Sequence, residues 1–420
     1  MRKLLVVAFT VVAAAASVVG QTIAITNAKV YPVSSAPIDN GTVLIRDGVI
    51  VAVGANVTIP ANATRIDATG KIVTPGLIHA TTELGLIEIE QVRSSNDATA
   101  KGENNVAASF RVWEGLNPAS AVFAPTRNEG VTSAAILPQG GLISGQAAVI
   151  NLGSTTGLDI IYRAPVAMIA QLDDPVRAGT TARGELIGKL RALLDDVKFY
   201  TQHRADYERA ATRTLGARRE DLEALIPVVE GRMLLIIDAN RKDEIDSALN
   251  LARDYHLKVA ISGGAEAWMI AGRLAGDHVP VLVGAMNNIP LSFATLNQRQ
   301  ENAGLLRRAG VTVILVTNGD GGDERFNARN IKYEAGNAVA YGMTHDDALQ
   351  AITLAPAELF GISDRIGSLQ AGRDANLVVW SGDPFEFSTQ VEHVFIRGVE
   401  MKEPSRQDML IDRYKPKKQP

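Results

Sequence analysis

The side chains able to do chemistry in this chain are carboxylates and one imidazole. There is no cysteine, which removes disulfides and thiolate metal sites together. Of the 6 histidines, His203, His256, His278, His345 and His393 fall in expected helices, connections or terminal strands. Only His79 lies near the end of a buried strand, in Lys71-Ile72-Val73-Thr74-Pro75-Gly76-Leu77-Ile78-His79-Ala80-Thr81-Thr82-Glu83. One imidazole is no catalytic zinc site, which takes three protein ligands, so a hydrogen-bonding and a catalytic role both stay open for it. Acids recur where apolar runs end: Glu83 here, Asp238 after the run 233–237, and Asp320 shortly after the run 311–316. Carboxylates suit hard cations such as Mn²⁺ or Mg²⁺, which makes an oxygen-rich site for one divalent ion one reading. A metal-free acid–base pair is a second and needs one raised carboxyl pKa. Acids merely solvated at a wet strand end are the third.

Those strand ends need a scaffold. From residue 72 to about 365 the chain alternates strand and helix patterns. Strands are expected at 130–137, 233–241, from 258 into a helix by 268, at 279–284 and at 311–320, and helices at 185–198, within 200–230 and from Asp243-Glu244. In the first helix Leu186, Leu190, Leu193, Leu194 and Val197 recur at helical spacing and face a core. Alternation of this kind builds a parallel barrel, whose active site lies at the carboxyl ends of its strands. Pro138 to Gln146 is a glycine-rich loop without the spacing of a nucleotide-binding motif.

The two ends of the chain are β-rich instead. Thr22 to Val30 alternates apolar and polar residues, and Asp47-Gly48 splits two β-rich runs as a two-residue hairpin turn. Asp374 to Trp380 and 391–397 are strands near the far end. Residues 21–71 and 366–405 are therefore expected to form one composite β-sandwich beside a barrel of residues 72–365, with a basic, solvated tail at 406–420.

The first strand resembles that of the metal-dependent amidohydrolase superfamily, where the pattern runs Pro-Gly-apolar-apolar-Asp-x-His-x-His. Ile366-Gly367-Ser368-Leu369-Gln370-Ala371-Gly372-Arg373-Asp374-Ala375-Asn376-Leu377-Val378-Val379-Trp380 is similar to the family's C-terminal signature. The Gly130-Val131-Thr132 stretch and its loop look like a branch found in exported bacterial proteins. The resemblance implies an α/β fold, a (β/α)8 TIM barrel with a small β-sandwich, and hydrolysis of carbon–nitrogen bonds in non-peptide or dipeptide substrates by activated water.

It also implies positions. The His-x-His pair falls on Thr81 and Glu83, and His79 stands at the family's Asp or Asn. The fifth-strand histidine falls on Asp238, the sixth on Gly263, and the eighth-strand aspartate on Asn318, which cannot act as a base, with Asp320 close by. No carboxylatable lysine occupies 228–232. The expected catalytic residues are His79, Asp238, Asn318 and Asp320, the expected metal ligands Glu83 and Asp238, and the expected pocket residues Thr81, Gly263, Arg329 and Glu334. The cofactor is one divalent metal such as Mn or Zn, or none. With its ligand motif degraded, the chain is expected to be either a divergent hydrolase or a silent relative that binds a small ligand or an active paralogue.

Composition agrees with a large globular chain: 46% hydrophobic, 21% charged. A net charge of −4 without a basic face excludes a nucleic-acid partner. Met1-Arg2-Lys3, the apolar run 4–19 and small residues before Gln21 form a cleavable secretory leader, and without cysteine there is no lipoprotein anchor. A periplasmic protein follows, free of the membrane after cleavage, with a small-molecule substrate and a homo-oligomer or paralogue as its open protein partners.

Overall fold

The computed structural model describes residues 22–89, 91–153, 157–174, 176, 178–180, 182–317, 327–402 and 404–415. The leader expected at 1–20 lies outside them, and among the described residues no helix is long and apolar enough to cross a membrane.

The strands, in chain order, are β1 (Thr22–Val30), β2 (Ile38–Arg46), β3 (Val49–Gly54), β4 (Thr64–Asp67), β5 (Ile72–Pro75), β6 (Leu77–Thr82), β7 (Val131–Ile136), β8 (Ile143–Asn151), β9 (Ile161–Gln171), β10 (Leu234–Ala239), β11 (Val259–Gly263), β12 (Val281–Val283), β13 (Val313–Leu315), β14 (Leu377–Trp380), β15 (Val391–Ile396) and β16 (Val399–Glu400). They form two sheets. One has the order β16-β15-β14-β5-β1-β2-β3, with β4 also on β1. The other runs β13-β12-β11-β10-β9-β8-β7-β6 and is a nearly closed barrel.

The first sheet joins the two chain ends. The β2–β3 turn has positive φ at both Asp47 (52°) and Gly48 (81°), the twist that suits a two-residue hairpin. β5 pairs parallel with β1 and antiparallel with β14, so Leu377 sits opposite Pro75 and Trp380 opposite Ile72. The sequence boundary therefore needs a correction. Residues 72–75, expected to open the barrel, belong to the terminal sheet, and the barrel starts at Leu77. The cause is the Pro75-Gly76 break, where Gly76 lets the backbone pass Thr132: a Cβ there would lie 2.2 Å from its Oγ1.

The barrel is also not wholly parallel. β8 runs antiparallel to both β7 and β9, with only a short 3-10 turn, Gly157–Ile160, described between it and β9. The glycine-rich loop is thus shorter than expected, because Ile143 to Gln146 already pair in β8. Helices cover the remaining outer surface, and the longest, Arg183–Gln202, buries Leu186, Leu190, Leu193, Leu194, Val197 and Tyr200. The barrel interior is filled by Ile78, Ala80, Ala135, Ala147, Ala167, Ile236, Ala260, Leu282 and Ile314, so small residues interdigitate with larger ones. The expected solvated tail holds a helix, Arg406–Tyr414, whose Ser405 and Asp408 form a capping box and which buries none of its residues.

Candidate functional site

Period-two alternation places the site. On β10, Leu234 and Ile236 point into the barrel, so Asp238 is the next inward residue and emerges at the carboxyl end. The same step takes Ala167 and Ile169 to Gln171 on β9, Ala260 to Ser262 on β11, and Leu282 to Gly284 beyond β12. These ends surround a cavity of about 430 Å³, lined also by Thr81, Thr82, Glu83, Asp173, Asn240, Gly263 and Thr317. Ile289 and Leu291 line it where the chain is exposed, at 52% and 61%.

Within it, the Gln171 side-chain amide donates to Oδ2 of Asp238. Asn240 Nδ2 donates to Asp173 Oδ2 at 3.5 Å, while its Oδ1 accepts the Ala265 backbone N–H at 3.4 Å. Glu83 is buried. Glu266 holds the adjoining helix Lys242–Tyr255 in place by accepting the Lys242 N–H at 2.8 Å.

Thr81, Glu83, Asp238 and Gly263, expected at the site, all line this cavity. Asn318 and Asp320 lie outside the described residues. Three expectations are corrected. His79 is fully buried and is not among the lining residues; its Nε2 meets Thr317 Oγ1 at 3.0 Å, across the seam between β6 and β13 that no strand pairing closes. Burial pushes its pKa down to about 4. It stands one hydrogen bond away from the cavity, through Thr317. Glu334 is buried outside the cavity and accepts the backbone N–H groups of Ala285 (2.6 Å) and Met286 (2.7 Å), anchoring the chain after β12. Arg329 is exposed and lines no part of the cavity.

Gln171 and Asp173 are site residues that sequence reasoning missed. Their signal was present: the apolar run 166–170 ends in Gln171-Leu172-Asp173, the signature that marks Asp238 after 233–237.

Asn318 and Asp320, two of the positions the resemblance brings to a metal, lie outside the described residues. Among the described residues no group of three or more His, Cys, Asp or Glu side chains is placed to hold an ion. Thr81 offers only a hydroxyl. Gly263 has φ 89°, and a Cβ there would lie 2.6 Å from Asn240 Oδ1, so the sixth-strand position is shaped against any side chain.

The comparisons agree with this architecture. A profile of the Amidohydrolase family matches residues 266–401. The chain is 26% identical to the Imidazolonepropionase of Paracoccus denitrificans over 372 residues, 82% of this chain and 88% of that one. It is 24% identical to Amidohydrolase tasK of Hapsidospora irregularis over 393 residues, 85% of this chain but only 39% of that protein. The crystal structure of an amidohydrolase from Thermotoga maritima MSB8 superimposes with a TM-score of 0.81 at 27% identity, over 91% of this chain and all of that one. An α/β barrel with a terminal β-domain and a cavity at its strand ends is the architecture of a hydrolase superfamily. Residues 266–401 match the Amidohydrolase family, and over most of its length the chain is similar to members of the amidohydrolase superfamily.

Proposed function

We propose that this protein hydrolyses a carbon–nitrogen bond in a small molecule, using the carboxylates of its barrel mouth in place of a metal. One observation carries the reading: Asp238 ends an inward-facing strand rung, held by Gln171, in a cavity sized for a small substrate. The hydrogen bond from Gln171 orients the carboxylate that accepts the water's proton. In this reading Asp238 takes a proton from water while the water oxygen adds to the carbonyl carbon. The same proton passes to the leaving nitrogen as the carbon–nitrogen bond breaks, and Asp238 returns to its starting state. Thr81, Asn240 and Ser262 offer neutral hydrogen-bonding groups for the carbonyl oxygen as it gains charge. The relatives named imidazolonepropionase and amidohydrolase support the bond class.

The test is a turnover screen of the purified chain against cyclic amides and dipeptides, with and without chelator. Turnover that survives chelator and falls ~10²–10⁴-fold in Asp238→Asn is expected. Turnover abolished by chelator, or unchanged in Asp238→Asn, sinks the mechanism.

A further inference from the structure

The helix Arg406–Tyr414, far along the chain from the barrel strands, buries none of its 9 residues. It is shorter than the roughly 12–15 residues a helix needs to hold itself together in water. Its start is fixed, because the buried Ser405 and Asp408 cap it reciprocally. The rest of it packs on nothing that would fix it. Leu410, Ile411 and Tyr414 follow Gln407 at spacings of three, four and seven, which puts them on one face. They are 42%, 58% and 71% exposed. Single exposed apolar residues are ordinary; three on one face of a helix too short to stand alone call for a surface to lie on.

Charge says which surface. Arg406 and Arg413 lie on one flank of the apolar face, Asp408 and Asp412 on the other, with Asp408 turned to its own N-cap. The Arg413 guanidinium lies 5.5 Å over the Tyr414 ring, which sets a cation at the edge of that face. Lys415, Lys417 and Lys418 follow. Residues 406–420 thus hold five basic and two acidic side chains, in a chain whose net charge is −4. A second copy of the helix brings the same positive excess and is repelled. An anionic lipid surface takes the apolar face into its headgroup layer and sets phosphates against the cations.

We infer that residues 406–420 dock the protein reversibly on an anionic phospholipid surface, with Leu410, Ile411 and Tyr414 turned into the headgroup layer. The contact is peripheral, since among the described residues no helix is long and apolar enough to cross a membrane. It departs from the expectation of a solvated tail on a chain free of the membrane, and it is independent of what the barrel cavity does.

The test is co-sedimentation of the full chain from residue 21 with vesicles of phosphatidylcholine alone or with phosphatidylglycerol added. Binding at least tenfold tighter to the phosphatidylglycerol vesicles is expected, falling several-fold from 50 mM to 500 mM salt. Leu410→Ser combined with Ile411→Ser should abolish it with the thermal melt unchanged, both side chains being exposed, whereas Met409→Ser, on the opposite face, should leave it intact. No binding, equal binding to both vesicles, or binding indifferent to the double variant each overturns the inference. So does a dimer in sedimentation equilibrium that the double variant turns to monomer while vesicles stay unbound, which would give the face to a second copy.

Discussion

At the scale of single residues, His79 shows how one side chain can sit at a family's catalytic strand and do structural work. The Thr81 backbone N–H donates to Nδ1 at 3.3 Å, so Nδ1 carries no proton and Nε2–H is the donor toward Thr317 Oγ1. Protonating Nδ1 would set two donors against each other inside a fully buried pocket. That accords with a pKa pushed down to about 4 by burial, against 6.5 for an unburied histidine. The folded-state pKa lies below the unfolded one. Between the two, the unfolded chain therefore binds a proton that the folded chain refuses. The stability held by neutral His79 is complete above pH 6.5 and drains as pH falls toward 4. Urea unfolding at pH 7.5 and pH 4.5 should show the unmodified protein losing about 2.5 kcal/mol more than His79→Gln. Equal losses would show that His79 holds no such stability. Asp238 is the opposite case, half-buried and facing the cavity, and its replacement by asparagine should cost turnover while leaving the melting temperature within a few degrees.

At the scale of elements, strand ends and the turns after them decide what the site can hold. Gly263→Ala forces a Cβ against Asn240 and an alanine into φ 89°. Thermal melts should show a loss of roughly 1–3 kcal/mol. An unchanged melt would mean that this turn is soft and that a side chain at 263 is tolerated. Glu334→Ala removes the acceptor of two backbone N–H groups and should loosen residues 285–291, raising KM more than it lowers kcat. The elements differed in how legible they were. β10 and Asp238 were readable because an apolar run of strand length ended in an acid beside a helix start. β8 was hidden, because Gly140 and Gly141 before it and Gly145 within it read as loop, while the strand is buried on both faces and shows no alternation. β9 went unread with it, and so Gln171 and Asp173 were lost. Glu334 looked like a group at the mouth because its tertiary partners, two backbone amides about fifty residues earlier, leave no trace in local sequence. Thr81 and Gly263 were placed by family spacing alone; what the sequence did not contain was the close approach of Asn240 that makes position 263 glycine.

At the scale of the whole molecule, the terminal sheet and the barrel are joined through the last strands. β14 is buried at all four residues and closes against β5. From it, the fully buried Trp380 donates through Nε1 to Thr74 Oγ1 at 2.9 Å, and its ring rests against Gly130, where a Cβ would lie 2.4 Å away and φ is 92°. Gly130 is the residue that opens β7, so a strand from the chain's end sets the base of the barrel. A second tie runs through Asp374, which pairs with Arg365 at 2.8 Å and accepts from Tyr162 at 3.2 Å, the tyrosine belonging to β9. Removing residues 366–420 would strip β5 of one of its two partners, expose the apolar faces of Val73 and Ile25, and leave a cavity beneath β7 where Trp380 had been. Loss of one such buried aromatic alone costs about 3–5 kcal/mol, a large share of the 5–15 kcal/mol that holds a domain folded. Chain 21–365 should therefore be insoluble, and Trp380→Ala in the full chain should melt well below the unmodified protein. A soluble 21–365 fragment with a cooperative melt would show instead that the barrel stands alone. The cavity would then owe its shape to the barrel's own strands, independent of the terminal sheet.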